Sequence, residues 1–153
     1  AANDIPAAVR AYLSQQAVQR PVVVDALLDI AAADWRRAGV QYSCADTHPD
    51  GDIYIREGFA AIVECGAVVI ASGAGRSLRN DFLAHTHIVI VPLERLLPTF
   101  GDLWAVLRTQ QTEAGIAREI CLITGPSRTA DLGVPAKLGA HGPARVHAVL
   151  VGG

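Results

Sequence analysis

Residues 120–143 read ICLITGPSRTADLGVPAKLGAHGP, and this stretch decides how the fold of the chain is interpreted. It begins with the apolar run Ile120–Ile123, which predicts a strand. The loop after this run carries a guanidinium, two hydroxyls and a carboxylate within five residues, namely Ser127, Arg128, Thr129 and Asp131. A second turn, His141-Gly142-Pro143, closes the stretch. In doubly wound α/β proteins ligands dock at loops that leave the carboxyl ends of strands, so we predict a ligand-binding loop here.

The chemistry of this loop suits a small anionic ligand. A fixed cation, neighbouring hydroxyls and free backbone N–H groups together favour a carboxylate or a phosphate. The predicted ligand-binding residues are Gly125, Ser127, Arg128, Thr129, Asp131, His141 and Gly142. Two structural alternatives stay open. Arg128 can pair with Asp131 and merely fix the loop, and His141 can stabilise its own turn by a hydrogen bond.

The rest of the chain alternates strand-like and helix-like segments. Apolar runs predict further strands at Val22–Val24, Val40–Ser43, Ala67–Ser72, His87–Val91 and Val146–Val151. Apolar periodicity and capping residues predict helices at Asn3–Gln19, at Ala26–Ala38 and within Leu93–Thr109. Cys44–Gly58 is polar and predicts a loop, and Phe59–Glu64 predicts a helical turn. The alternation predicts an α/β fold with a mostly parallel sheet flanked by helices.

Composition limits the classes of function. The 153 residues suit one domain, and the net charge of −2 without a basic cluster argues against nucleic acid and anionic membranes as partners. No apolar run approaches the roughly 20 residues that span a bilayer, and no secretory signal is visible. The sequence contains no methionine, even at position 1. We therefore expect that segments of the natural protein are missing from it, chiefly before residue 60.

Cysteine and histidine usage predicts no metal centre in this chain. Its three cysteines, Cys44, Cys65 and Cys121, are widely spaced, whereas an iron–sulfur cluster needs about four organised thiolates. An odd number of unpaired cysteines fits a reducing, cytoplasmic setting. His85 and His87 would share one face of a strand, but no third metal ligand is evident.

Two other segments are candidate sites. Glu64 stands in the word VECG, and a carboxylate in such an apolar neighbourhood tends towards a raised pKa and suits acid, base or nucleophile chemistry. The alternative is a structural carboxylate that accepts backbone N–H bonds. The loop Gly75-Arg76-Ser77 follows a strand but lacks the third glycine of a dinucleotide fingerprint. It can hold a carboxylate or phosphate, or it is a flexible surface loop.

These words together resemble the signature of the LUD-domain family, in particular its lactate utilization protein C branch. GPSRTAD (Gly125–Asp131), HGP (His141–Pro143) and the apolar strand after them carry the resemblance. The segment AIVECG (residues 61–66), the loop Gly75-Arg76-Ser77 and the strand His87–Pro92 agree with it. The resemblance covers residues 59–153 well and the preceding part loosely. Cys65 departs from the small or hydroxyl residue usual after the glutamate.

The resemblance implies a fold like that of the NagB/RpiA/CoA-transferase superfamily, formed here as a single LUD-type α/β domain over residues 1–153. It also implies an accessory, non-redox subunit of a bacterial system that oxidises L-lactate to pyruvate. The iron–sulfur clusters of that system are then expected in partner proteins, and this chain binds no cofactor. Two alternatives stay open: a CoA-transferase-like enzyme that uses Glu64 as its nucleophile, and a purely structural interaction subunit.

Overall fold

A computed structural model of the protein describes residues 4–44, 53–73, 77–109, 117–129, 135 and 137–152. Its helices are α1 (Ile5–Gln15), α2 (Ala32–Arg37), α3 (Arg79–Leu83) and α4 (Phe100–Thr109). Its strands are β1 (Val22–Val24), β2 (Tyr42–Cys44), β3 (Ile53–Glu57), β4 (Ala60–Ile62), β5 (Ala67–Ala71), β6 (Thr86–Pro92), β7 (Leu96–Leu97), β8 (Ile120–Ile123), β9 (Arg128–Thr129), β10 (Lys137–Leu138) and β11 (Arg145–Val151). A 3-10 turn at Leu93–Arg95 links β6 to β7.

The main sheet is parallel throughout. Its five strands lie in the order β11-β6-β3-β1-β2, and each neighbouring pair runs in the same direction. Thr86 of β6 lies level with Ile53 of β3 and with Arg145 of β11. The amino ends of these strands therefore form one edge of the sheet and their carboxyl ends form the other. The predicted mostly parallel α/β fold is confirmed.

A second sheet packs against the first. It has the order β7-β4-β5-β8, in which β5 runs antiparallel to both of its neighbours. A third, smaller unit is the antiparallel hairpin of β9 and β10, where Arg128 lies opposite Leu138 and Thr129 opposite Lys137.

Apolar side chains on alternate strand positions divide the interior into layers. One face of the main sheet, with Val22, Ile55 and Ile88, packs under α1 and α2. Helix α1 contributes the spaced residues Val9 and Leu13 to this layer. On the other face, strand β6 packs against the second sheet, because Val89 and Val91 share a cluster with residues of β4, β5 and β8. A strand buried on both faces reads as a continuous apolar run, which explains Val22–Val24.

The structure corrects two of the predicted elements. The predicted loop Cys44–Gly58 contains β3, a buried strand near the centre of the main sheet. The loop prediction rested on the polar and turn-forming residues that precede this strand, Asp46, His48, Pro49, Asp50 and Gly51. Within the strand even Tyr54 and Arg56 are buried. The predicted helical turn at Phe59–Glu64 is instead β4, which pairs with β5 through a turn that ends at Gly66 (φ +63°).

The remaining elements agree with the prediction more closely. The helix predicted at Ala26–Ala38 is shorter, because the Asp25 carboxylate accepts the Leu27 N–H and α2 begins only at Ala32. The strand predicted at Ile120–Ile123 is present, but it pairs with β5 and not with the parallel sheet. No helix among the described residues combines the length and apolar character that crossing a bilayer requires.

Candidate functional site

The two turns of the stretch quoted first, one after β8 and one before β11, lie against each other. The Ser127 N–H donates to the Pro143 carbonyl oxygen (2.8 Å), and the Gly139 N–H donates to the Ser127 carbonyl oxygen (2.9 Å). The Ser127 hydroxyl oxygen accepts the His141 N–H at 3.3 Å. The words GPSRT and HGP are therefore parts of one structural unit. We call this unit the paired turns (residues 125–129 and 139–143).

Two glycines lie in the second turn, and the backbone conformation requires glycine at the first of them. Gly139 has a φ of +75°, in the left-handed region, and a Cβ there would lie 3.0 Å from the Cβ of Ala144. Gly142 packs between two neighbours, since its Cβ would lie 3.4 Å from Ser127 Cβ and 3.8 Å from Phe82 Cδ1. The backbone of the second turn thus touches both the first turn and α3.

A cleft of about 590 Å³ opens beside the paired turns. Its wall is formed by the end of α3 and the segment after it, together with β10 and the second turn: Phe82, Leu83, Ala84, His85, Leu138, Gly139, Ala140, His141, Gly142 and Ala144. A mixed polar and apolar cleft of this volume falls in the range of small-molecule sites. We call it the α3–β10 cleft.

The cleft lies at the edge of the main sheet opposite to the one predicted. His85 precedes β6, Ala144 precedes β11, and the Arg145 N–H donates to the His85 carbonyl oxygen at 3.1 Å. These are the amino ends of two neighbouring parallel strands. The predicted loop does leave the carboxyl end of β8, but β8 belongs to the second sheet, so this loop does not leave the parallel sheet.

His85, which lines the cleft, lies near two guanidinium groups. Burial lowers the pKa of His85, and the guanidinium groups of Arg20 and Arg145 lower it further. Arg20 precedes β1 and Arg145 begins β11, so the sheet places them near His85 although they are distant in sequence. The sequence contained no local signal for this grouping. A neutral imidazole flanked by two cations suits the binding of an anion.

The residues predicted to bind a ligand do not all come together. Ser127, His141 and Gly142 are in contact, and the last two line the cleft. Arg128 is exposed in β9, one position after Ser127, and is not among the described residues that line the cleft. Ser77 is exposed, and its hydroxyl oxygen accepts the Arg79 N–H at the start of α3 (3.1 Å). Gly75, Arg76 and Asp131 lie outside the described residues, and so does the proposed pairing of Arg128 with Asp131.

Glu64 does not lie in the apolar surroundings that the sequence suggested. Its side chain is exposed, and Oε1 accepts the Phe100 N–H at 2.6 Å, where α4 begins. A carboxylate at the first turn of a helix satisfies a free N–H group and interacts favourably with the helix dipole. The contact corresponds to the structural alternative left open above. Catalysis by Glu64 stays a prediction.

A buried charged cluster that the sequence did not reveal joins the two sheets. The Arg56 Nη1 donates to Asp81 Oδ2 at 2.7 Å, and its Nη2 donates to the Ala71 carbonyl oxygen of β5 at 3.1 Å. His87 Nε2 lies 3.0 Å from Asp81 Oδ1, although the two atoms are not aligned as a hydrogen bond. These three side chains are at most 2% exposed.

His85 and His87, the two histidines considered above as possible metal ligands, lie in different surroundings. The His87 ring stacks on Tyr54 (centroids 5.9 Å apart), whereas His85 lines the cleft. The Tyr54 hydroxyl donates to Asp25 Oδ2 at 3.2 Å, and burial raises the pKa of this phenol, as do the carboxylates of Asp25 and Asp81. Within the described part of the chain no group of three histidine, cysteine or acidic side chains could hold a metal ion.

Lowering the pH from 7.5 to 5.5 should destabilise the protein. Burial lowers the pKa of His147, which stacks on Tyr12 at 3.9 Å, and that of His85. The unfolded chain therefore takes up protons at a higher pH than the folded one. Stability is complete above the unfolded pKa of about 6.5 and is lost as the pH falls towards the folded values. Urea unfolding at the two pH values measures the effect.

The matched variant for this measurement is His147→Phe, which keeps a ring against Tyr12 but cannot titrate. It should weaken the dependence of the unfolding midpoint on pH between 5.5 and 7.5. Carboxylates titrate mainly below this range. An identical pH dependence in the variant would show that His147 contributes nothing to it.

Comparison with known proteins gives one consistent family. The family profile described as LUD domain matches residues 31–151. Lactate utilization protein C of an Exiguobacterium species is 30% identical over 125 residues, which are 77% of this chain and 52% of that protein. Lactate utilization protein C of Bacillus subtilis is 34% identical over 92 residues, 59% of this chain and 38% of that protein. The chain thus spans about two fifths to one half of the length of these relatives.

A solved structure with the same fold is that of a DUF162 family protein from Deinococcus radiodurans. The superposition has a TM-score of 0.63 at 20% sequence identity and covers 98% of this chain and 83% of that one. At this identity the likeness shows the fold alone.

Proposed function

Because the chain belongs to the LUD domain family, we propose that it serves in lactate utilization as an accessory, non-redox component that binds a small anion at the paired turns. The observation that carries the proposal is the contact between the Ser127 hydroxyl and the His141 N–H beside the α3–β10 cleft. This contact joins the two most specific motifs of the sequence, GPSRTAD and HGP. In this proposal the oxidation of L-lactate to pyruvate is the process that the whole protein supports.

The groups around the cleft supply what an anion needs. His141 is exposed in the second turn, and His85 forms part of the wall next to the guanidinium groups of Arg20 and Arg145. The described residues that line the cleft include no acidic side chain. A carboxylate or phosphate there would meet the hydrogen-bond donors of the two imidazole groups and of the second turn.

The non-redox role rests on the thiols. The sequence has three cysteines, fewer than the four thiolates that usually hold an iron–sulfur cluster. Cys44 lies at the edge of the main sheet, Cys65 in the turn between β4 and β5, and Cys121 in β8. We therefore propose that electron transfer takes place in separate iron–sulfur proteins that act together with this one.

The direct test is to titrate the protein with lactate, pyruvate and inorganic phosphate and to measure binding by isothermal titration calorimetry. At least one of these anions should bind, and His141→Ala should weaken that binding about tenfold, as expected for the loss of a hydrogen bond to a charged group. Ser127→Ala should act in the same direction because it removes the hydroxyl that accepts the His141 N–H, while the two backbone hydrogen bonds between the turns remain. Arg108→Ala, which removes an exposed cation from α4, serves as the control and should leave binding unchanged.

Binding of none of the three anions would remove the ligand role. Equal affinities in the wild type and in His141→Ala would move the site away from the paired turns. The alternative of a CoA-transferase-like enzyme is addressed separately by a search for a glutamyl adduct on Glu64 after incubation with an acyl-CoA. The hydrogen bond of Glu64 to the Phe100 N–H favours its structural role.

A further inference from the structure

We infer that the α3–β10 cleft binds an anion that carries a flat aromatic body, such as a nucleoside monophosphate, and not only a three-carbon acid. The inference rests on the anion site proposed above and names the class of ligand that this site takes. Three features of the cleft carry it: its size, its exposed apolar side chains and the position of its two imidazole groups.

The size of the cleft exceeds what lactate or pyruvate requires. Its volume is about 590 Å³. Clefts of roughly 300–1,000 Å³ enclose ligands of the size of drugs or nucleotides and bury most of their surface. A three-carbon acid would occupy a small fraction of this space and leave most of the wall in contact with water.

The wall presents large apolar side chains to that space. Phe82, in α3, is 44% exposed, and Leu138, in β10, is 53% exposed. Both line the cleft, and they come from different elements, so the fold brings them to the same site. The Phe82 ring also lies against the second turn, because a Cβ on Gly142 would be 3.8 Å from Phe82 Cδ1. An exposed aromatic ring beside a backbone turn offers a surface on which another ring can stack.

The imidazole groups occupy a different part of the wall. His85 follows α3 at the edge of the main sheet, where its carbonyl oxygen accepts the Arg145 N–H at the start of β11, and His141 lies in the second turn. An aromatic body against Phe82 and Leu138 and an anionic group near His85 and His141 would use both parts at once. Neither inorganic phosphate nor lactate can do so.

The test compares adenosine 5′-monophosphate with inorganic phosphate, adenosine and lactate in equilibrium titrations. We expect the nucleotide to bind at least tenfold more tightly than either phosphate or adenosine alone. Phe82→Ala should reduce its affinity about tenfold and leave the affinity for phosphate unchanged, because only the ring loses its partner. Leu138→Ala should reduce nucleotide affinity in the same selective way.

The chain offers matched controls for both variants. Phe100→Ala removes a ring of similar exposure (41%) from α4, and Leu150→Ala removes a leucine of the same exposure (53%) from β11. Neither lines the cleft, so both should keep the wild-type affinity for the nucleotide. These controls separate the loss of a cleft contact from a general effect of removing an exposed apolar side chain.

The outcomes distinguish this inference from the proposed function. If phosphate or lactate binds but the nucleotide binds no more tightly, the aromatic body is excluded and the anion site remains. A nucleotide affinity that Phe82→Ala does not change would also overturn the inference. If no anion binds, the proposed function fails together with it.

Discussion

Replacing Asp81 with alanine should lower the free energy of unfolding by about 3–5 kcal/mol, the usual cost of breaking a buried ion pair by removing one partner. Asp81 is fully buried and accepts a hydrogen bond from Arg56. Without this carboxylate the Arg56 guanidinium would stay in the interior with an uncompensated charge. Guanidinium chloride unfolding, followed by circular dichroism, measures the change. The loss is a large part of the total stability of a domain, so the denaturant concentration at the midpoint should fall markedly.

Two further variants show whether burial is the reason. Arg37→Ala removes an exposed partner of Asp34 in α2, where the Arg37 side chain is 70% exposed, and should cost less than about 1 kcal/mol. The double variant Arg56→Met with Asp81→Leu removes both charges and should be more stable than Asp81→Ala alone. An equal cost for Asp81→Ala and Arg37→Ala would contradict the buried-charge explanation.

Replacing Gly58 with alanine should lower the free energy of unfolding by about 1–3 kcal/mol through overpacking. Gly58 joins β3 to β4, and a Cβ at this position would lie 2.8 Å from Val89 Cγ1 and 3.2 Å from Val91 Cγ2. Both valines are fully buried in β6, and a β-branched side chain in a strand has few other rotamers. The two sheets would have to separate slightly at their junction. Thermal unfolding of the variant measures the cost.

Gly101→Ala is the natural comparison for this variant. Gly101 is exposed in α4, and its Cβ would meet only the Thr99 hydroxyl at 3.4 Å. Alanine is the better helix former, so this substitution should stabilise the protein by up to about 1 kcal/mol. The two glycine variants should therefore differ in the sign of their effect. A destabilised Gly101→Ala together with an unchanged Gly58→Ala would refute the packing argument.

The strands that were predicted correctly are those whose apolar character is continuous. Val22–Val24 and His87–Val91 are buried on both faces, and their sequences show it directly. The strand β3 was missed because the polar, turn-forming residues before Ile53 gave the whole of Cys44–Gly58 the character of a loop. Arg56 can be buried only because Asp81, 25 positions later, neutralises it. A pairing at that distance is a property of the fold and leaves no local pattern.

The candidate site was predicted in its residues but not in its position. The sequence motifs around Ser127 and His141 were predicted to form one ligand site, and in the structure these two residues are in contact. Which sheet accepts β8 depends on the competition among partner strands, and an apolar run such as Ile120–Ile123 suits either sheet. Phe82 lines the cleft, and Arg20 and Arg145 lie near His85, through tertiary contacts alone, so no motif could point to them.

The hairpin of β9 and β10 has a consequence for how relatives of this protein can diverge. Arg128 is held opposite Leu138 and Thr129 opposite Lys137, so both turns are fixed below the point where the two strands separate. Lengthening the chain between Thr129 and Lys137 would add only a small loop-closure cost, because that cost grows slowly with length. Changes of chain length between Asp131 and Lys137 should therefore cost less stability than changes within either turn.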